Sequence, residues 1–268
     1  MLTPLASQVA VAIENARLYA DVLAKEERLA KELEIARGVQ HGLFPEECPS
    51  GEGWEASAHF LPARELGGDL YDFYELGDGR LGLAVGDVSG KGVPAALYGA
   101  FASGTVRARA FEKREPADLM ARVNRTLRRR GVEGLFCTLA YALFDFRARS
   151  VRIASSGLPY PLHYRAATGR CEPIGVCGLP LGSFEHSEYE ERTVALAPGD
   201  VLVFHTDGVT DARRSGDDYG LTRLMRQVEE HAGRDAPHLG DRILADVHRF
   251  MADKTPSDDV TLVVVKVL

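Results

Sequence analysis

The chain has 268 residues, of which 45% are hydrophobic and 26% are charged, and its formal net charge is -7. The length allows one large domain with an appendage, or two small domains. The acidic balance argues against general nucleic-acid binding. No stretch is apolar for long enough to cross a bilayer and no secretory signal opens the chain, so we expect a cytoplasmic protein without a membrane or nucleic-acid partner.

The four cysteines show neither a Cys-x-x-Cys pair nor nearby histidines at zinc spacing; they are Cys48, Cys137, Cys171 and Cys177. We expect them to be small apolar filler in a reducing compartment. Neither a disulfide nor a zinc site is therefore expected.

Residues 5–43 are predicted to form one long helix. Apolar residues recur at three- and four-residue spacing, and a second set repeats every seven residues, namely Val22, Leu29, Ala36 and Leu43. A helix this long at a chain end is marginal in isolation, so we expect a partner, most simply a second copy in a homodimer. The alternative is that the helix folds back on its own domain. Pro45 and Pro49 are expected to end it.

Beyond residue 53, short strands and helices alternate with turn residues. The predicted strands are residues 55–60, 70–76, 80–87, 136–145, 151–155, 162–164, 188–196, 201–205 and 260–267. The predicted helices are residues 94–111, 116–130, 221–231 and 239–251. Strands joined by hairpins, such as the one at Gly77-Asp78-Gly79, predict antiparallel sheets with helices packed outside, an α+β fold. The apolar run of the last strand favours a central position buried on both faces.

Four segments place an aspartate at the edge of an apolar strand, beside glycine or a second acid. The acids are Asp69, Asp87, Asp207, and Asp258 with Asp259. Carboxylates are rarely left at the mouth of a core without a partner, and several from distant parts of a chain supply the oxygen ligands that hard divalent cations require. The pattern predicts a two-metal hydrolytic site, although a single aspartate before glycine is also the ordinary mark of a turn.

Asp87 and Asp207 are the candidates for catalytic roles. Asp87 ends an apolar strand and enters a loop with glycines, where the backbone can approach a metal closely, so we expect it to bridge two cations. Asp207 has the same setting. Arg64, five residues before Asp69, could hold a substrate phosphate through its guanidinium fork or could form a surface ion pair. His205 could be a proton donor or a satisfied core histidine.

Longer motifs surround these acids. In chain order they are Ala36-Arg37 with Gln40 and Leu43-Phe44-Pro45, Gly67-Gly68-Asp69 with Tyr71-Asp72, Gly86-Asp87-Val88-Ser89-Gly90-Lys91-Gly92, Thr206-Asp207-Gly208-Val209-Thr210 and Asp258-Asp259-Val260-Thr261. Together they resemble the PPM family of metal-dependent serine/threonine protein phosphatases, in its bacterial SpoIIE/RsbU branch. The resemblance extends from about Ala36 to the C-terminus.

The resemblance implies a four-layer α-β-β-α sandwich with two antiparallel sheets, and a site for two Mn²⁺ or Mg²⁺ ions. It implies that Asp87 bridges both ions. Asp207 and Asp258 would hold one ion, and Asp69 with the backbone carbonyl of Val88 would hold the other. Hydrolysis would proceed by attack of a metal-bound hydroxide on phosphorus, without a phosphoenzyme.

Residues 5–19 resemble the last helix of a GAF sensor domain. We therefore expect residues 1–45 to be a linker helix, with a GAF tail and a coiled-coil-like segment, and residues 46–268 to be the phosphatase domain. Two positions depart from the family pattern. Asp259 stands where related enzymes often have asparagine, so we expect it to support the metal ligands, and Leu158 stands where the family usually has a histidine.

The resulting hypothesis is a phosphatase that hydrolyses phosphoserine or phosphothreonine on a small regulatory protein. The family implies that this protein is a phosphorylated STAS-type anti-sigma-factor antagonist within a partner-switching pathway. Two alternatives remain: a catalytically weak phosphatase-fold binding module, and a metal-dependent hydrolase of small phosphoesters. The complete set of acids favours the enzyme.

Overall fold

The computed structural model describes residues 3–112, 114–214, 216–252 and 256–268. The chain divides into two compact units, Met1–His41 and Gly42–Leu268. The first unit is a single helix, and the second contains every strand found in the described residues.

The helix of the first unit, α1 (Thr3–His41), has 39 residues, which corresponds to a length of about 58 Å. Its apolar side chains are exposed along its length, from Val9 at 52% to Val39 at 66%. The predicted helix is confirmed, but its end is earlier than expected and Leu43 lies in a turn. Pro45 explains the early end, because it lacks the N–H of the next helical bond and restricts the residue before it.

The second unit consists of thirteen short strands and five helices in the described residues. The strands are β1 (Ser50–Gly51), β2 (Trp54–Leu61), β3 (Leu70–Gly77), β4 (Arg80–Val88), β5 (Cys137–Asp145), β6 (Ser150–Ser155), β7 (Leu162–Arg165), β8 (Arg170–Pro173), β9 (Glu191–Ala195), β10 (Val201–His205), β11 (Arg213–Arg214), β12 (Asp217–Asp218) and β13 (Val260–Val267). The helices are α2 (Val93–Ala110), α3 (Pro116–Arg130), α4 (Asp207–Thr210), α5 (Leu221–His231) and α6 (Ala236–Met251).

Two antiparallel sheets form the centre of this unit. The first sheet has the order β1-β2-β13-β10-β7-β8, and the second has the order β3-β4-β5-β6-β9. β11 and β12 pair separately. All eight residues of β13 are buried between β2 and β10. Its apolar run therefore occupies the predicted central position.

Three hydrophobic cores join the layers. Phe144, Phe204 and Val263 fill the space between the sheets with other buried side chains, and each such side chain stabilises the fold by roughly 1.5–3 kcal/mol. Helices α2 and α3 cover the outer side of the second sheet, and α5 and α6 cover that of the first. The predicted four-layer α-β-β-α arrangement is confirmed.

The segment after α1 is tied to the second unit by aromatic contacts. The ring of Phe44 lies 4.6 Å from that of Phe60 and 4.9 Å from that of Tyr71, measured between centroids. Residues 42–53 thus lead into β2 as part of the folded unit.

Some predicted boundaries differ from the observed ones. β9 is shorter than residues 188–196, because its pairing with β6 extends only from Glu191 to Ala195. α6 begins before residue 239, because the Asp235 side chain caps it by accepting the His238 N–H. The edge strands β1 and β8, the ribbon β11–β12 and the short α4 were not predicted; each has only two to four residues, too few to show a periodic pattern.

The cysteines are all free thiols. Cys137 and Cys171 are buried filler as expected, whereas Cys177 is exposed, with its Sγ 3.2 Å from the Tyr160 hydroxyl. Within the described residues, no helix has the length and apolar character needed to cross a bilayer.

An ion pair between the half-exposed Arg107 side chain and the buried Asp72 carboxylate joins α2 to β3. The Arg107 guanidinium donates to the fully buried Asp72 carboxylate at 2.7 Å, and burial raises the pKa of Asp72 while Arg107 lowers it. We expect Arg107→Met to lower the free energy of unfolding by about 2 kcal/mol, because Asp72 loses its charged partner. Urea unfolding followed by circular dichroism measures the change.

Arg109→Met is the matched control on the same helix. Arg109 pairs at 2.8 Å with Glu112 at the surface, and because solvent screens an exposed pair, we expect a smaller loss than for Arg107→Met. Equal losses of unfolding free energy in the two variants would show that the Arg107–Asp72 pair stabilises the fold no more than a surface ion pair does.

Candidate metal centre

The register of the second sheet places Asp69 beside Asp87. Leu70, the first residue of β3, pairs with Gly86 near the end of β4. Because antiparallel neighbours run in opposite directions, the residue before β3 and the residue after Gly86 lie at the same end of the sheet.

The first sheet carries the other two acidic segments at one of its ends. His205, the last residue of β10, pairs with Leu262 near the start of β13. Asp207 therefore follows β10 at the same end at which Asp258 precedes β13. We call the group formed by Asp69, Asp87, Asp207 and Asp258 the acidic cleft.

Close backbone approaches lock these segments together. A Cβ atom on Gly68 would lie 2.9 Å from the Val88 carbonyl oxygen and 3.5 Å from the Asp87 Oδ1 atom. A Cβ atom on Gly208 would lie 1.9 Å from the Asp259 carbonyl oxygen. Each glycine therefore stands where a side chain would push two acidic segments apart.

Asp69 is the most deeply buried acid of the cleft, at 3% exposure. Its Oδ2 atom accepts hydrogen bonds from the hydroxyls of Thr206 at 2.8 Å and Thr261 at 2.6 Å. Burial and the neighbouring Asp87 carboxylate hold the pKa of Asp69 well above its ordinary value, although the two hydroxyls lower it. Thr206 and Thr261 belong to the part of the chain that forms the first sheet, and Asp69 precedes β3 of the second sheet. The two threonines thus hold one oxygen of the Asp69 carboxylate by hydrogen bonds between the two sheets.

Asp87 lies at the centre of the repulsion. Burial, followed by the charges of Asp207 and Asp258, raises the pKa of Asp87 to about 7, and its carboxyl lies within hydrogen-bond reach of that of Asp69. Burial and Asp258 also raise the pKa of Asp207, which is exposed at the start of α4. The cleft therefore runs from a buried acid to an exposed one.

The Lys91 side chain supplies a positive charge at the acidic cleft. Its ammonium donates to Asp258 Oδ2 at 2.9 Å and to the Ser257 carbonyl at 2.7 Å. Within the described residues, no other lysine or arginine forms an ion pair with an acid of the cleft. Lys91, Thr206 and Thr261 were present in the quoted motifs, but the sequence did not indicate their contacts.

Asp259 supports the cleft from behind. Its two carboxylate oxygens accept the backbone N–H groups of Ala63 at 2.8 Å and Gly68 at 2.6 Å. Asp259 thereby fixes the loop before β3. Arg64 lies exposed on this loop, next to Ala63, and its contact with a phosphate stays a prediction.

Two further positions have structural roles. His205 is 1% exposed, its Nδ1 lies 3.1 Å from the Thr206 carbonyl, and burial lowers its pKa to about 4. A neutral, buried imidazole fits a core histidine and not the proton donor. Its Nε2 has no hydrogen-bond partner among the described residues, so it is not the fully satisfied histidine of the prediction. Leu158, at the position where a histidine was expected by family pattern, packs in the core between the sheets.

The donor chemistry of the cleft fits hard divalent cations. Two adjacent carboxyl groups, an exposed carboxylate and a backbone carbonyl are oxygen ligands of the kind that Mg²⁺ and Mn²⁺ bind. Among the described residues, no three acidic, histidine or cysteine side chains already converge closely enough to hold one ion. A cation would therefore complete its shell with the Val88 carbonyl and water, or draw the carboxylates inward.

Comparison with known proteins agrees with this arrangement. The family described as Stage II sporulation protein E (SpoIIE) matches residues 77–268. The phosphoserine phosphatase RsbU of Bacillus subtilis is 26% identical over 241 residues, which cover 90% of this chain and 71% of RsbU. Two further curated relatives are longer, and the chain spans 41% and 58% of them.

Solved structures share the fold. The SiaA-PP2C domain of Pseudomonas aeruginosa superposes with a TM-score of 0.80 at 22% identity, covering 91% of this chain and 98% of that one. RsbX, solved in complex with magnesium, has a TM-score of 0.64 at 16% identity, covering 83% and 99%.

Sheets, helical layers and relatives together define the class, a PP2C-type serine/threonine protein phosphatase domain. Within that class, the chain belongs to the SpoIIE family.

The close approach at Gly208 predicts that alanine lowers the stability of the fold at this position, whereas alanine at Gly104 raises it. Gly208→Ala should lower the free energy of unfolding by about 3 kcal/mol, because the added methyl meets the Asp259 backbone. Gly104, exposed within α2, has no atom within 4 Å of an added Cβ, so Gly104→Ala should raise stability by about 1 kcal/mol. Thermal and urea unfolding measure both, and a tolerated Gly208→Ala would refute the tight contact.

Proposed function

We propose that the chain hydrolyses phosphoserine or phosphothreonine on a small regulatory protein, with two Mn²⁺ or Mg²⁺ ions in the acidic cleft. The observation that supports this most is the convergence of four separated acidic segments at one end of the two sheets. A purely structural role does not account for it, because clustered carboxylates repel one another and destabilise the fold.

The residues divide between two cation positions. Asp87 would bridge both cations, Asp207 and Asp258 would hold one, and Asp69 with the Val88 carbonyl would hold the other. Bound cations would activate water and neutralise charge on the phosphate. The magnesium complex of RsbX supports this assignment of metal type.

The side chains around the cleft hold the proposed metal ligands in place, and water is the proposed nucleophile. The hydroxyls of Thr206 and Thr261 are both engaged with Asp69. The Ser89 hydroxyl accepts the Phe136 N–H. Because both threonines are fully buried, their hydroxyls are not accessible to a substrate phosphate, which supports direct hydrolysis over a covalent phosphoenzyme. Arg64, on the loop fixed by Asp259, is proposed to bind a phosphate oxygen.

The exposure of the cleft favours a protein substrate. Asp207 is exposed and the Asp258 side chain is 42% exposed. Cavities of about 570 and 490 Å³ lie elsewhere, beside Trp54 and beside Leu97. An open site can accept a phosphorylated residue on a protein surface, whereas small-molecule sites are usually enclosed pockets. This argues against a hydrolase of small phosphoesters.

The substrate class is proposed from the family. RsbU is a phosphoserine phosphatase, and we infer for this chain a phosphorylated STAS-type anti-sigma-factor antagonist within a partner-switching pathway. A GAF sensor domain before α1 and a homodimer through α1 complete the proposal. The exposed apolar side chains of α1 support a helical partner, because a single helix gains little stability without packing.

The enzymatic proposal is tested by turnover with manganese. We expect the purified chain to dephosphorylate members of a panel of phosphorylated STAS domains, and to hydrolyse an aryl phosphate, only with Mn²⁺ or Mg²⁺. Asp87→Asn and Asp207→Asn should each lower kcat by at least about 100-fold, because each removes a metal ligand. Phosphate release during a manganese titration provides the measurement.

Asp241→Asn is the matched control, because Asp241 is an exposed acid of α6 that is assigned no ligand role. Its kcat should stay within about twofold of the wild type. Metal-independent turnover that survives both ligand substitutions would refute the proposal. Binding of a phosphorylated partner without turnover would instead identify a signalling module.

The proposed dimer is tested by shortening α1. Deletion of residues 1–31 should convert a dimer into a monomer and change turnover together, because it removes most of the exposed apolar side chains. Sedimentation and kinetic assays on the same samples measure both. Unchanged sedimentation with unchanged turnover would exclude a role of the helix in association and regulation.

A further inference from the structure

Lys91 has a fixed place beside the acidic cleft. It lies in the loop between β4 and α2, flanked by Gly90 and Gly92, whose φ angles are +94° and +73°. These left-handed conformations favour glycine and set the course of the loop. From it the Lys91 side chain reaches the segment before β13, which is 166 residues further along the chain.

Both oxygens of Asp258 are already engaged in the structure. The Oδ1 atom accepts the Asp259 N–H at 3.0 Å, and the Oδ2 atom accepts the Lys91 ammonium at 2.9 Å. Asp69, by contrast, uses only its Oδ2 atom for the two threonine hydroxyls. A metal ion bound to Asp258 would therefore lie close to the positive charge of Lys91.

The charges around Lys91 indicate what its ammonium does. It pairs with Asp258, which precedes β13 at the same end of the first sheet at which Asp207 follows β10. Asp207 and Asp258 are the pair proposed to hold one cation. A divalent ion bound to Asp207 and Asp258 would lie next to the Lys91 ammonium, and two neighbouring positive charges repel each other.

We propose that Lys91 is a positioning residue that acts as an internal counter-cation: it stabilises Asp258 without metal, and competes with the metal ion proposed to bind Asp207 and Asp258. Loading then requires the ammonium to withdraw from Asp258 Oδ2. Lys91 thereby sets the metal concentration at which the cleft fills. This inference rests on the proposed function, because it concerns the same cleft.

The test measures metal affinity and does not depend on turnover. Lys91→Met removes the charge and keeps the length of the side chain, and Lys91→Gln gives a second uncharged variant. Free Mn²⁺ is measured by electron paramagnetic resonance during titration of the full chain. We expect the dissociation constant of the manganese site assigned to Asp207 and Asp258 to fall by about tenfold in both variants, because a like charge is removed.

Two controls separate charge from side-chain structure. Lys91→Arg keeps the charge and should bind manganese within about threefold of the wild type. Lys31→Met removes an exposed lysine of α1 and should leave the affinity unchanged.

The outcomes are distinct. Tighter manganese binding in Lys91→Met and Lys91→Gln supports the inference. Equal or weaker binding in both, with wild-type binding intact, would overturn it and show that Lys91 only holds the two loops together. If the wild-type chain and the variants all fail to bind manganese, the proposed metal centre is wrong, and the Lys91 inference falls with it.

Discussion

Repulsion among the carboxylates at one end of the two sheets is the constraint on which the proposed metal centre depends. The hydrophobic core between the sheets fixes their relative position, and the strand registers then place Asp69, Asp87, Asp207 and Asp258 at neighbouring sheet ends. Burial and like charge hold the pKa of Asp87 near 7. Packing energy from the core therefore stabilises an arrangement that electrostatics alone would disperse.

The chain compensates this repulsion unevenly. Asp259 is satisfied by two backbone N–H groups, and Asp69 by two threonine hydroxyls. Asp258 has a lysine, whereas Asp87 forms no ion pair with any described residue. Asp207 likewise forms no ion pair with a described residue, so a compensating positive charge is lacking at both of these proposed ligands. This distribution separates acids that support the cleft from acids that are available to cations.

Strong local patterns in the sequence predicted most of the fold. β10, β13, α3 and α5 have the predicted bounds, because apolar runs or helical periodicity end there at turn residues. Edge strands such as β8 were missed, since four residues that are mostly exposed carry no clear alternation. The acidic segments were recognised from their strand-edge positions. The Lys91 contact was not, because it joins residues 166 and 167 positions apart and depends on the finished sandwich.

The most direct test of the central claim is anomalous diffraction from crystals of this chain grown with Mn²⁺. We expect two anomalous peaks in the acidic cleft, each within about 2.5 Å of carboxylate oxygens, with Asp87 in contact with both. Manganese bound elsewhere on the chain, or no peak among Asp69, Asp87, Asp207 and Asp258, would contradict it.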